Sequence, residues 1–205
     1  MLKFKVLSRI KETILSTNEI QLELENVNGF SFSTKKKSLT TADGTPLLSP
    51  IEGLIYRPRR TVSHDKGYLT EIYRTDWGLT DLPLAQINST TTFPGQVRAW
   101  GIHQYITDRL FALTGSLCVV VFDGRKNSKT FGCLNEFFIG AHSQGLVLIP
   151  PGLWHGWKNI GPDEATIISM PSGLYNYDEP DRWELPWDSV QAQQTIPYQW
   201  PTGAV

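Results

Sequence analysis

From residue 54 to residue 170 the chain never runs far without a turn signal. His64-Asp65-Lys66-Gly67, Thr114-Gly115-Ser116, Asp123-Gly124-Arg125, Ser143-Gln144-Gly145 and Gly161-Pro162-Asp163 cut it into short stretches. Gly, Pro, Asp and Asn at that spacing mark tight turns rather than helix. The stretches between them read as strands: 54–57, 84–87, 97–105, 109–113, 117–122, 131–139, 146–149, 154–159 and 166–170. In the run from Tyr68 to Arg74, Tyr68, Thr70, Ile72 and Arg74 face one way and Leu69, Glu71 and Tyr73 the other, the period of a pleated strand. The 7 Trp, 7 Tyr and 9 Phe, beside 17 Gly and 13 Pro, fit turn-rich sheet. A helical period appears only weakly, over 2–16. Many short strands must close on themselves or pair face to face to hide their edges, so the expected fold is all-β, a barrel or jelly roll.

A chain of 205 residues accommodates one principal domain with an appendage. Residues 1–50 differ from the rest: they are Ser/Thr-rich between Ser31 and Thr45 and closed by Pro46 and Pro50, and are read as an N-terminal extension. Residues 51–205 are read as the β domain, with a Pro-, Asp- and Trp-rich tail from Tyr175 packing over it. Nineteen basic against twenty acidic residues leave no field to attract nucleic acid or an anionic membrane. No apolar run approaches the roughly 20 residues of a membrane span, and the start Met1-Leu2-Lys3-Phe4-Lys5 is unlike a signal peptide. The expectation is a cytoplasmic protein with neither nucleic-acid nor membrane partner. Cys118 lies in the apolar run LCVVVF, and both it and Cys133 read as small core residues.

Chemistry concentrates in two segments. One is Trp100-Gly101-Ile102-His103, followed by a tight turn at Gly115. The other is LIPPGLWHGWKNIG (148–161), where Pro150, Pro151 and Gly152 stiffen the backbone ahead of His155 and its flanking indoles. On the residues alone, His155 is either a ring bonded to backbone in a packing corner or the wall of a pocket. The pair of segments resembles the two motifs of the cupin superfamily, in which a jelly-roll barrel holds its site between facing strands. Metal-binding cupins supply a His-x-His pair and a downstream carboxylate from the first motif. Here Tyr105 replaces the second histidine and the nearest carboxylate is Asp108. Two imidazoles fall short of the three protein ligands a catalytic divalent site requires, so no metal and no cofactor is expected.

Within the cupins the chain resembles the dTDP-4-dehydrorhamnose 3,5-epimerases from about Arg60 to Asp188. The resemblance rests on His64-Asp65-Lys66-Gly67 ending at Glu71, on Gln86-Ile87-Asn88, on Trp100-Gly101-Ile102-His103, on the run from Phe122 to Gly132 (FDGRKNSKTFG), and on Ile149-Pro150 through His155-Gly156. It implies a homodimer with exchanged strands that binds a nucleotide-linked 4-keto sugar. Protons beside such a ketone are acidic. A base removes one, a donor steadies the enolate oxygen, and an acid on the other face returns a proton. By resemblance His103 is the base, His155 the second motif histidine, and Lys66, Glu71, Gln86 and Asn88 hold the nucleotide. The cation nearest the family's enolate-steadying lysine is Arg109, although a gapless reading puts Asp108 there. Three departures stand out. The family's acid tyrosine falls at or beside Ser169, leaving Tyr105 or Tyr175 to substitute; the aspartate that partners the base has no clear counterpart; and Trp100 replaces an arginine. Two alternatives remain open, a binding protein that has lost turnover and a metal-dependent cupin enzyme using His103 and His155.

Overall fold

The computed structural model describes residues 27–35, 38–42 and 44–201. It divides into two compact units, Met1–Pro46 and Leu47–Val205. In the first, the described residues hold a 3-10 turn at Phe30–Phe32 and an isolated bridge between Thr40 and Pro46. The helical period over 2–16 lies outside the described residues.

The second unit is built from strands β1 (Ile55–Pro58), β2 (Thr61–His64), β3 (Gly67–Thr70), β4 (Asn88–Thr92), β5 (Val97–Ile102), β6 (Asp108–Thr114), β7 (Ser116–Phe122), β8 (Leu134–Gly140), β9 (Gly145–Ile149), β10 (Trp154–Asn159), β11 (Ala165–Ser169) and β12 (Trp183–Glu184), then a short helix α1 (Val190–Thr195). One five-stranded sheet has the order β1-β9-β6-β11-β4, the other β12-β5-β10-β7-β8, and β2 and β3 form a separate hairpin. The two large sheets pack face to face, as a jelly roll requires. Among the described residues no helix is long and apolar enough to cross a membrane.

Leu110, Ala112, Val147, Ile149 and Ile167 from the first sheet meet Val119, Val121, Phe137, Ile139 and Trp157 from the second in one buried cluster. Truncating a buried Leu or Phe of such a core to Ala costs about 3–5 kcal/mol. The outer faces are also covered. Phe111, Leu146 and Met170 pack under Ile72, Tyr73, Trp77 and Leu79. Trp100, Cys118, Val120 and Phe122 pack under Ala192, Ile196 and Trp200 of the tail. This explains the run LCVVVF: alternate residues of β7 face two different buried layers, so none is polar. Ser189 caps α1 by accepting the Ala192 N–H at 3.1 Å, which fixes where the tail turns back over the sheet. The strand read at 84–87 lies instead at β4, a polar Asn-Ser-Thr-Thr-Thr stretch whose alternate residues face inward.

Beside β10, strand β5 bulges: His155 pairs with Gly101 but Trp157 with Arg98. The bulge needs glycine opposite it, because a Cβ on Gly156 would stand 2.2 Å from the Ala99 Cβ. The bulge re-aims the end of β5, where His103 begins.

Candidate active site

At one end the apolar core gives way to a cavity of about 300 Å³, in the range of small-molecule pockets. His103 follows β5, His155 is the second residue of β10, and Asp108 opens β6. The two imidazoles stack with centroids 5.5 Å apart and planes inclined by 27°. One donor atom from each of His103, Asp108 and His155 lies within 4.8 Å of the others. His155 Nδ1 donates to the Leu153 carbonyl at 3.0 Å, and His103 Nδ1 donates to the carbonyl of Asp181. A carbonyl only accepts, so each Nδ1 carries the hydrogen, and in the neutral ring Nε2 keeps a lone pair.

Burial, followed by the nearby charges of His103 and Arg182, pushes His155 down to about 3, so it stays neutral. Burial lifts the Asp108 carboxyl above the usual carboxylate range, against the opposing pull of His103. Its Oδ1 accepts the Arg109 N–H at 2.9 Å. The site thus couples a neutral imidazole, a carboxyl that burial pushes against ionisation and a half-buried histidine anchored through Nδ1.

Asp181 orients this corner from a strap 75–78 residues away in sequence. Its carboxylate accepts the N–H groups of Gln104 at 2.8 Å, Tyr105 at 2.9 Å and Ile106 at 2.8 Å, pinning the loop that carries His103. Burial opposes ionisation of Asp181, but those three donors and His103 hold its carboxyl below the ordinary range. Sequence reading missed this residue, finding no partner for the base; the partner of the ring is the Asp181 backbone carbonyl, which side-chain identity does not advertise.

Of the residues expected at the site, Gln86 and Asn88 line the cavity and are joined by a 2.7 Å bond from Gln86 Nε2 to Asn88 Oδ1. Arg109 requires correction. Asp108 takes the inward position of β6 and Arg109 the outward one, where its guanidinium donates to the carbonyls of Met170 and Leu82, each at 2.9 Å, and lies 5.1 Å from the Tyr73 ring centre. It is fully buried behind the sheet and does not line the cavity. Among the described residues, the Lys or Arg side chains that do are Arg98 and Arg182. Lys66 lies on the turn of the exposed β2–β3 hairpin, and Glu71 just beyond it pairs with Arg74 at 3.0 Å and Arg59 at 3.6 Å. Neither lines this chain's cavity. Ser169 does, at the place expected of the family's acid tyrosine, and so does Tyr175, whose N–H donates to Gln86 Oε1 at 3.0 Å. Tyr105 is exposed.

Two imidazoles and a carboxylate this close are a donor set that a divalent ion accepts. The surroundings oppose one. Arg182 stands near enough to disfavour a second positive charge on His155, and Arg98 adds another cation to the same cavity.

The motif from Phe122 to Gly132 belongs to the scaffold. The Asp123 side chain, fully buried, accepts from Arg125 Nε at 2.9 Å, Ser128 Oγ at 2.6 Å and Thr130 Oγ1 at 2.6 Å. Burial alone would raise its carboxyl, but these donors hold it far below the usual range.

Two facing antiparallel sheets around a cavity with paired motif histidines define a cupin-type jelly roll of the sugar-nucleotide epimerase kind. Residues 49–197 match the dTDP-4-dehydrorhamnose 3,5-epimerase family, and the chain belongs to that family. It is 36% identical over 124 residues to a probable low-salt glycan biosynthesis epimerase of Haloferax volcanii, covering 60% of this chain and 80% of that protein. It is 33% identical over 152 residues to a spore coat polysaccharide biosynthesis protein of Bacillus subtilis, covering 74% of this chain and 97% of that protein. Among solved structures, NovW of Streptomyces spheroides, a 4-keto-6-deoxy sugar epimerase, superposes with a TM-score of 0.65 at 26% identity, covering 77% of this chain and 80% of that one.

Proposed function

We propose that this protein epimerises a dTDP-linked 4-keto-6-deoxy sugar, with His103 as the base that removes a proton beside the ketone. The observation that carries this reading is His103 itself: its ring faces a sugar-sized cavity, its Nδ1 is tied to the Asp181 carbonyl, and its Nε2 lone pair is left to take a proton. When it does, the imidazolium needs a counter-charge. Asp108 in its carboxylate form supplies it: burial disfavours that form, but the nearby ring and Arg182 favour it, and Asp108 itself neither gains nor loses a proton in the step. His155 stays neutral and accepts or relays a hydrogen bond to the sugar. Tyr175, held at the cavity wall by Gln86, returns the proton in place of the tyrosine that Ser169 replaces. The reaction is proton transfer alone and calls for no redox cofactor.

Gln86 and Asn88 hold the nucleotide sugar along β4. Lys66 and Glu71 act from the hairpin of a second copy, across a homodimer with exchanged strands; the exposed Val62, Tyr68 and Leu69 on that hairpin support such a contact. The likeness to glycan and spore-coat polysaccharide proteins supports a role in supplying a deoxysugar for a surface glycan.

Incubating dTDP-4-keto-6-deoxyglucose with the protein in D2O and following the sugar by proton NMR tests the reading. Deuterium appearing at a carbon beside the ketone, with inversion of that centre, is expected. Binding of thymidine diphosphate without any exchange would overturn it in favour of a binding protein.

A further inference from the structure

Removing a proton beside a ketone builds negative charge on the carbonyl oxygen, and one well-placed donor there is worth about 10²–10³ in rate. Resting on the epimerase reading above, we propose that this donor is the guanidinium of Arg182, delivered by the C-terminal strap. Arg109, the cation nearest the expected place in sequence, is fully buried behind β6 with its fork engaged by two backbone carbonyls. Of the two arginines that line the cavity among the described residues, Arg98 pairs in register with Trp157, on the far side of the β5 bulge from His103. Arg182 lies on the near side.

The strap fixes it there. Asp181 is bound by three backbone N–H groups of the loop after β5, and the next residues, Trp183 and Glu184, pair with Ile102 and Gly101. Arg182 is therefore held between two anchored neighbours. Glu184 accepts its Nε hydrogen at 2.8 Å, which turns the Nη end of the fork toward β5. A Cβ placed on Gly101 would come within 3.3 Å of Arg182 Nη2 and 3.5 Å of Cζ. The glycine leaves the guanidinium room beside the strand. Gly101 is the register partner of His155 and lies two residues before His103, so the fork stands beside the two imidazoles. Both buried groups of the cluster feel it, since its charge favours ionised Asp108 and neutral His155. A guanidinium stays charged throughout the working pH range and offers two parallel N–H groups to an oxyanion. It can hold the enolate oxygen while His103 holds the proton, with no bond made or broken at Arg182 itself.

The test is deuterium wash-in at the carbon beside the ketone of dTDP-4-keto-6-deoxyglucose, measured for wild type, Arg182→Gln, Arg182→Lys and Gly101→Ala. Arg182→Gln should lower kcat for exchange by about 10²-fold or more, with KM changed by less than about 3-fold and an unaltered melting temperature. Arg182→Lys should keep about a tenth of the wild-type rate, and added guanidinium ion should partly restore Arg182→Gln. Gly101→Ala, which crowds the fork without removing it, should lose about 10-fold. If Arg182→Gln exchanges as fast as wild type, or loses affinity with kcat intact, the assignment to Arg182 is overturned while the role of His103 stands. If Arg182→Gln does not fold, a wild-type rate in both Arg182→Lys and Gly101→Ala overturns it equally. No exchange by the wild-type protein overturns both.

Discussion

Asp123 and Asp108 are both buried aspartates next to core strands, and they are held in opposite ways. Asp123 accepts from the backbone and side chain of Arg125 and from Ser128 and Thr130, and is kept ionised. Asp108 is lifted above the usual range by burial, and its carboxylate accepts the N–H of its own neighbour. A carboxylate whose acceptors are saturated is a structural clasp, because any change in its charge strands several donors. One left with few donors among titratable rings can change its charge as those rings change theirs. Both regions fall inside the residues that match the family, yet one clasps a loop and the other lines the cavity.

Replacing Asp123 with Ala is the harshest way to probe the clasp. It leaves Arg125, Ser128 and Thr130 without their acceptor, and should cost about 3–5 kcal/mol by urea denaturation while exchange per folded molecule stays at the wild-type level. A catalytic loss larger than the loss of folded protein would erase the contrast. Asp108→Asn should do the reverse: unchanged or slightly higher stability, with wash-in slowed about 10²-fold.

Acid stability sharpens the comparison further. His155 is neutral in the fold down to about 3, whereas the unfolded ring protonates near pH 6.5. Below pH 6.5 the unfolded chain therefore binds a proton that the folded chain refuses. Stability falls as pH drops, by up to about 1.4 kcal/mol per unit. Asp108, raised in the fold, acts in the opposite sense, taking its proton more readily folded than unfolded and offsetting part of the loss in acid. His155→Gln removes the first effect, so the stability lost between pH 7 and pH 5 should shrink by about 2 kcal/mol. An identical pH profile would mean that the ring is not held neutral. The smallest effect is expected for Tyr175→Phe, about a 10-fold drop in inversion with wash-in nearly intact, since proton return is impaired and removal is not.

Much of this was legible in the sequence. The turn-bounded runs gave away two packed sheets, and His103 and His155 stood out because each sits in a stiff Gly- or Pro-flanked segment. The orientation of β6 was not. Leu110, Phe111 and Ala112 are all apolar because both faces of the strand are covered, so alternation carries no phase and Arg109 could be assigned inward as easily as Asp108. The strand expected at 84–87 falls too early because the Asn-Ser-Thr-Thr-Thr run that forms β4 lacks the apolar residues that mark a strand, although its inward Asn88 and Thr90 line a polar cavity wall. Asp181 and Arg182 lie in a Pro- and Asp-rich tail whose contacts with the loop after β5 span 75–78 residues. No local pattern encodes a contact of that range.

The most direct measurement is the rate at which His103→Asn, compared with wild type, introduces solvent deuterium beside the ketone of dTDP-4-keto-6-deoxyglucose at equal occupancy by the nucleotide sugar. A loss of about 10³-fold, with binding and melting temperature preserved, is the expected result. Exchange at the wild-type rate would contradict the account, since the proton would then be leaving to some other base.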